Sequence, residues 1–230
     1  MLTYVGLGFF DALSVLVLMF ALYRFPIMDY RWRVVGMAAI IAIVSYIVRI
    51  VLNVPQFDPI IQIGLFVFFL CGGVQVKFKY AALLPTSAMS IYIVINLVVY
   101  SLLVATGVIH ESAAAKSEGL DTYLIQISTI LVIYLISYAM RRLRRGFSFI
   151  PRPPHNRAAK DRHSFAAMWP AIILSLVGIS FSINAVYTMN FLVVVPLGFI
   201  MFTALYLLAN RRDKVEHDRI YRSTNFRKDK

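Results

Sequence analysis

Residues 3–23 read TYVGLGFFDALSVLVLMFALY, an apolar run interrupted by a single charge, Asp11. At ~1.5 Å of rise per residue, a helix over this stretch spans the ~30 Å hydrocarbon core of a bilayer. No Lys or Arg precedes it and no small-residue cleavage pattern follows it. It is therefore expected to be a retained span and not a removable signal peptide.

Working outward, the same test finds further apolar stretches at 34–52, 59–76, 81–106, 122–140, 165–186 and 190–209. The last two run together, and Asn184, Tyr187 and Asn190 divide them because the joint stretch is too long for one crossing. The expected fold is all-α, a polytopic transmembrane helical bundle of seven spans. Residues 1–210 form the transmembrane domain, with a basic loop at 141–164 inside it, and 211–230 form a basic tail. No internal repeat is visible.

Composition points the same way. The chain is 60% hydrophobic and only 15% charged, with a mean hydropathy of +0.75. A soluble chain of this size cannot bury that much apolar surface and still present a polar exterior.

Charge sets the expected orientation, because cytoplasmic loops collect Lys and Arg. With the N-terminus outside and the C-terminus cytoplasmic, all of the 23 basic residues except Arg49 and Lys116 fall inside. The outer loops then hold Asp58, Glu111, Glu118 and Asp121. The loop at 141–164 carries Arg141-Arg142-Leu143-Arg144-Arg145 and then Pro151-Arg152-Pro153-Pro154, whose prolines prevent a continuous helix. It is expected on the membrane surface, where each basic residue contributes ~1 kcal/mol of attraction to acidic lipids. The net charge of +12 accompanies no nucleic-acid recognition fold, so the bilayer and not nucleic acid is the expected partner.

Polar residues within the spans are the candidate functional groups. Asp11 lies ~12 Å deep, where a carboxylate costs about 2.5 kcal/mol or more. Protonation, a wet cavity or an ion pair with Arg49 would compensate it; Arg49, four residues from the outer end of its span, can either snorkel outward or reach down to the carboxylate, and the pair is slightly favoured. In Arg49-Ile50-Val51-Leu52-Asn53-Val54-Pro55-Gln56-Phe57-Asp58-Pro59, Asp58 is expected as the N-cap of the third span and Pro59 as its first helical residue. Gln62 follows one turn later. Asn96, Gln126, Asn184 and Asn190 fall in the outer halves of their spans. Asp11, Arg49, Asp58, Gln62, Asn96, Gln126 and Asn184 thus form a candidate ligand-binding ring open to the outside. The simpler role for any one amide is a helix–helix hydrogen bond worth about 1 kcal/mol. Pro85 and Pro196 can bend the fourth and seventh spans or leave carbonyls free.

Catalytic patterns are missing from the sequence. There is no H-E-x-x-H, G-x-S-x-G or P-loop, and the four histidines, His110, His155, His163 and His217, fall in loops or the tail. The single cysteine, Cys71, cannot form an intrachain disulfide and is expected as a small packing residue. No enzyme activity, metal or cofactor is expected.

The run Ser45-Tyr46-Ile47-Val48-Arg49 with Pro55, Asp58-Pro59 and Gln62, in a Tyr- and Phe-rich multispan region, resembles the N-terminal membrane sensor modules of peptide-sensing bacterial histidine kinases of the accessory-gene-regulator class. The resemblance covers about the first hundred residues. It implies six or seven spans, recognition of a secreted, often cyclic, peptide from the outer side, and signalling to a cytoplasmic helix. The sequence departs from that family by ending at Lys230 without an ATP-binding kinase domain, so no phosphorylation activity of its own is expected. Glu216-His217-Asp218 resembles the His-Asp pair of the family's phosphoacceptor helix but lies too close to the last span, and His217 is taken as a tail residue.

The expected function is that of a multi-pass, sensor-like module in a bacterial cytoplasmic membrane. Its expected partners are an extracellular peptide and a cytoplasmic signalling protein or a second copy of the chain. Two other classes stand beside it: a small proton-coupled transporter with Asp11 as its ionisable group, and a membrane assembly subunit.

Overall fold

A computed structural model of the chain describes residues 2–110, 119–143, 146, 147 and 203. The expected spans at 165–186 and 190–209, most of the loop at 141–164 and the tail at 211–230 lie outside the described residues, as do Asn184, Asn190 and Pro196. Among the described residues all regular structure is helical. Helix α1 covers Leu2–Leu22, α2 Arg31–Tyr46, α3 Asp58–Gly72, α4 Phe78–Ala105 and α5 Leu120–Arg142. All five helical segments are long and apolar enough to cross a membrane, α2 and α3 together with the short turns that flank them.

Local chemistry explains where the helices stop. After α1 the chain turns through Arg24 at φ 51°, with Phe25 N–H donating to the Phe20 carbonyl over 2.9 Å, and Pro26 prevents further winding. Helix α3 ends in a similar way at Gly73 and Gln75, with Val76 N–H on the Leu70 carbonyl at 2.9 Å. Helix α4 ends at Gly107, whose φ of 69° suits a residue without a Cβ.

The end of α2 is different. Ile47–Val51 winds as a π turn, with Leu52 N–H reaching the Ile47 carbonyl at 2.8 Å. Asn53, at φ 55°, and Pro55 then turn the chain into α3. Single π turns inside helices are frequent at functional sites.

Helix α1 is apolar all round, which suits a central position. Half of its span is buried, against 28% of the α5 span. It packs on α2, α4 and α5, and α3 closes the other side against α4. Leu16, Met19 and Phe20 of α1 meet Ala38 and Ile41 of α2, Phe66 and Leu70 of α3, and Leu84 of α4 in one core cluster. The outer surface carries Ile40, Phe68, Leu131 and Leu135, which suits hydrocarbon.

Consecutive helices alternate in direction. The α1, α3 and α5 C-termini and the α2 and α4 N-termini therefore share one end, which carries Arg24, Arg31, Arg33, Lys77, Arg141 and Arg142. Arg33 donates from Nη1 to the Gly73 carbonyl at 2.6 Å there. The opposite end holds Asp58 and Asp121.

Because helices in lipid associate through packing and not through water exclusion, core truncation and surface truncation should separate cleanly. Leu16→Ala, at a fully buried position, should lower unfolding stability by roughly 2 kcal/mol or more. Phe68→Ala, at a side chain 76% exposed, should cost less than about 0.5 kcal/mol. Unfolding by denaturing detergent, titrated in mixed micelles, measures both.

Candidate functional site

The spacing of four residues in Ser45…Arg49 and again in Asp58…Gln62 puts each pair on one helix face. The turn between α2 and α3 sets those two faces against each other. Asp58 is 0% exposed, and its Oδ2 accepts three hydrogen bonds: Ser45 Oγ at 3.0 Å, Arg49 Nε at 2.5 Å and Gln62 Nε2 at 2.9 Å. A buried carboxylate requires this degree of satisfaction. Its Oδ1, also buried, has no hydrogen-bond partner among the described residues.

This arrangement corrects two expectations. Asp58 is not the N-cap of α3; Phe57 holds that position, and Asp58 is the first residue of the helix with its side chain turned to α2. Pro59 is then the second residue. Nor does Arg49 pair with Asp11. Its Nε is taken by Asp58, nine residues away in sequence, because the short α2–α3 connection brings that carboxylate close at little entropic cost.

Asp11 finds a different partner. Its Oδ1 accepts a hydrogen bond from Tyr92 Oη of α4 at 2.7 Å. Ser14, one turn further along α1, bonds the Asp11 main-chain carbonyl at 2.7 Å.

Asp11 and Arg49 nevertheless face the same cleft. It is lined by Tyr4, Asp11, Ser45, Arg49, Gln62 and Gln126, with Gly8, Ala12 and Ile41 as its apolar wall. Gly8 has no Cβ, and one added there would touch Ala42 at 3.8 Å, so α1 and α2 approach closely beside the polar groups. The cleft volume is about 10 Å³, room for one water molecule. Arg49 remains 31% exposed, while Asp58 behind it is sealed.

Of the candidate residues, Asp11, Arg49, Gln62 and Gln126 therefore meet, and Asp58 anchors the group from behind. Asn96 does not join them. Its Nδ2 donates to Thr129 Oγ1 at 3.2 Å and ties α4 to α5. Asn184 lies outside the described residues. Sequence reasoning overlooked Tyr92 and Tyr4 and left Ser45 out of the site, although its position four residues before Arg49 marks the same face. Nothing in the spacing of Tyr92 sets it apart from the other aromatic residues of α4.

Compared with protein-family profiles, with curated proteins and with solved structures, the chain matches none.

Removing one member of a buried ion pair strands the other charge, which costs about 3–5 kcal/mol. Arg49→Gln and Asp58→Asn should each destabilise strongly, and the double variant should recover part of the loss, with a coupling of about 1–3 kcal/mol. The cycle between Asp11→Asn and Arg49→Gln should show a smaller coupling than the cycle with Asp58, because the two groups share the cleft without an ion pair. Unfolding in mixed micelles reads both cycles. A larger coupling for Asp11 than for Asp58 would contradict the assignment.

Proposed function

We propose that this chain is a multi-pass, sensor-like membrane module. It binds one small polar group of an extracellular ligand in the cleft and passes the event to a cytoplasmic partner. The observation that carries the reading is convergence: α1, the π turn after α2, α3 and α5 each deliver a polar side chain, Asp11, Arg49, Gln62 and Gln126, to one small cleft. Gathering four such groups among membrane helices is unfavourable unless they pair or function retains them.

In the orientation assigned from the basic residues, the cleft lies in the outer half of the bundle, and seven spans place the tail in the cytoplasm. A volume of about 10 Å³ admits a single group, so the body of the ligand stays outside the helices. A secreted peptide is the ligand class implied by the resemblance of residues 45–62.

Helix α1 supplies the connection inward. Asp11 lines the cleft, and at the far end of the helix the Leu22 carbonyl accepts the Phe147 N–H at 2.8 Å, just beyond the basic end of α5. Gly146 permits that contact. Its φ is 138°, and an added Cβ would meet the Leu22 carbonyl oxygen at 2.8 Å. Movement of α1 is thereby transmitted to the start of the basic loop.

A second reading, a proton-coupled carrier, has one specific observation in its favour. Among the described residues, the only hydrogen bond to the Asp11 side chain comes from an uncharged phenol.

Thermal unfolding of the purified protein in nanodiscs, with fractionated peptides from the host's culture medium, tests the sensor reading. One fraction should raise the midpoint saturably. Stabilisation by none would remove the receptor role. Substrate flux into liposomes that depends on a proton gradient, and disappears in Asp11→Asn, would establish the carrier instead.

A separate prediction concerns the inner junction. Gly146→Ala should leave ligand-induced stabilisation intact and increase proteolysis at the start of the basic loop, read as cleavage rate by trypsin.

A further inference from the structure

The cleft has an unbalanced charge. Asp58 neutralises Arg49 through the 2.5 Å contact, and Asp11, the second carboxylate, has no Lys, Arg or His within ion-pair distance among the described residues. With Asp11 ionised, one cation against two carboxylates leaves one negative charge among the described residues of the cleft. Acceptor oxygens beside Asp11 also stand open among the described residues. Gln62 commits its amide nitrogen to Asp58, and neither its amide oxygen nor the Gln126 amide bonds another described group. One Asp11 oxygen is engaged by Tyr92, and the other bonds no described residue.

We infer that the cleft receives a primary ammonium group, held by the Asp11 carboxylate and the amide oxygens of Gln62 and Gln126. The inference rests on the ligand-binding reading above and names the chemistry of the group that enters. Three independent features agree. An ammonium carries the missing positive charge. Its three N–H donors match the three acceptors available. Its head is about the size of a water molecule, which is the space the cleft offers. A guanidinium or a quaternary ammonium is too large, and a bare metal cation takes a fuller shell of oxygens than one carboxylate and two amides supply. Repulsion of the guest by Arg49 is reduced, because Asp58 against its Nε offsets part of its charge. A primary ammonium occurs both at a peptide N-terminus and on a lysine side chain, and the cleft recognises what the two share.

The test is thermal unfolding of the full chain in nanodiscs, titrated with methylammonium at constant ionic strength. The midpoint should rise saturably with methylammonium and not with tetramethylammonium or sodium, and Asp11→Asn should weaken the effect at least about tenfold. Absence of a saturable rise, or an equal rise with sodium or tetramethylammonium, overturns the inference. Should Asp11→Asn fail to fold, Gln126→Glu decides. It adds a second counter-charge and should tighten methylammonium binding several-fold, and an unchanged affinity overturns the assignment. Alanine amide and Nα-acetyl-lysine amide, titrated in the same way, separate an N-terminal from a side-chain source.

Acetylating the amines of the culture-medium peptide fractions keeps the two levels of the reading apart. A fraction that stabilises only before acetylation supports both. One that stabilises equally afterwards keeps the receptor and removes the ammonium. Stabilisation by methylammonium with no active fraction keeps the ammonium site and removes the peptide receptor.

Discussion

The Asp58 carboxylate governs the outer part of this bundle. A charge at 0% exposure persists only when its surroundings supply hydrogen bonds and a counter-charge, and Ser45, Arg49 and Gln62 supply them to one oxygen. Meeting that requirement holds the end of α2 against the start of α3. The π turn at Ile47–Val51 lies within this clasp, between Ser45 and Asp58, and carries Arg49 itself. The cleft is a consequence. Arg49 reaches it already paired with Asp58, and Asp11 lines the cleft beside it.

Around this clasp the helices are tied by a few polar contacts separated by apolar packing. Asp11 with Tyr92 and Tyr23 with Ser87, the latter at 2.8 Å, link α1 to α4 at two levels. Asn96 with Thr129 links α4 to α5. Between these contacts lie Leu16, Met19, Phe66 and Leu84, which pack without directional preference. In lipid the apolar surfaces alone do not choose a register, because hydrocarbon solvates them as well as a neighbouring helix does. The sparse hydrogen bonds make that choice.

The helices were legible because crossing hydrocarbon imposes a length and an apolar composition that can be read without knowing any neighbour. The five described helices fall where the apolar runs at 3–23, 34–52, 59–76, 81–106 and 122–140 place them, with shifts at the ends. The largest shifts lie at the end of α2, where the π turn takes over after Tyr46, and at the end of α3, where Gly73 and Gln75 end the helix before the apolar pattern does. The polar site was legible in its membership more than in its pairing. Asp11, Arg49, Gln62 and Gln126 stood out as costly groups in apolar surroundings, and they do line one cleft. Asn96, chosen by the same criterion, bonds Thr129 of α5 and does not line that cleft.

What the sequence determined by itself was the set of apolar helices and the list of polar side chains that had to be accommodated among them. These follow from the free energy of moving each segment from water into lipid, a property each segment has alone. Which carboxylate Arg49 would meet was decided only in three dimensions. Along the chain, Asp11 reads as the partner and Asp58 as a helix cap. The choice fell to Asp58 because the short return after the π turn brings it within reach of Arg49, while α1, packed centrally, presents Asp11 to Tyr92 on α4. Partner choice depends on distances between segments, and no single segment contains that information.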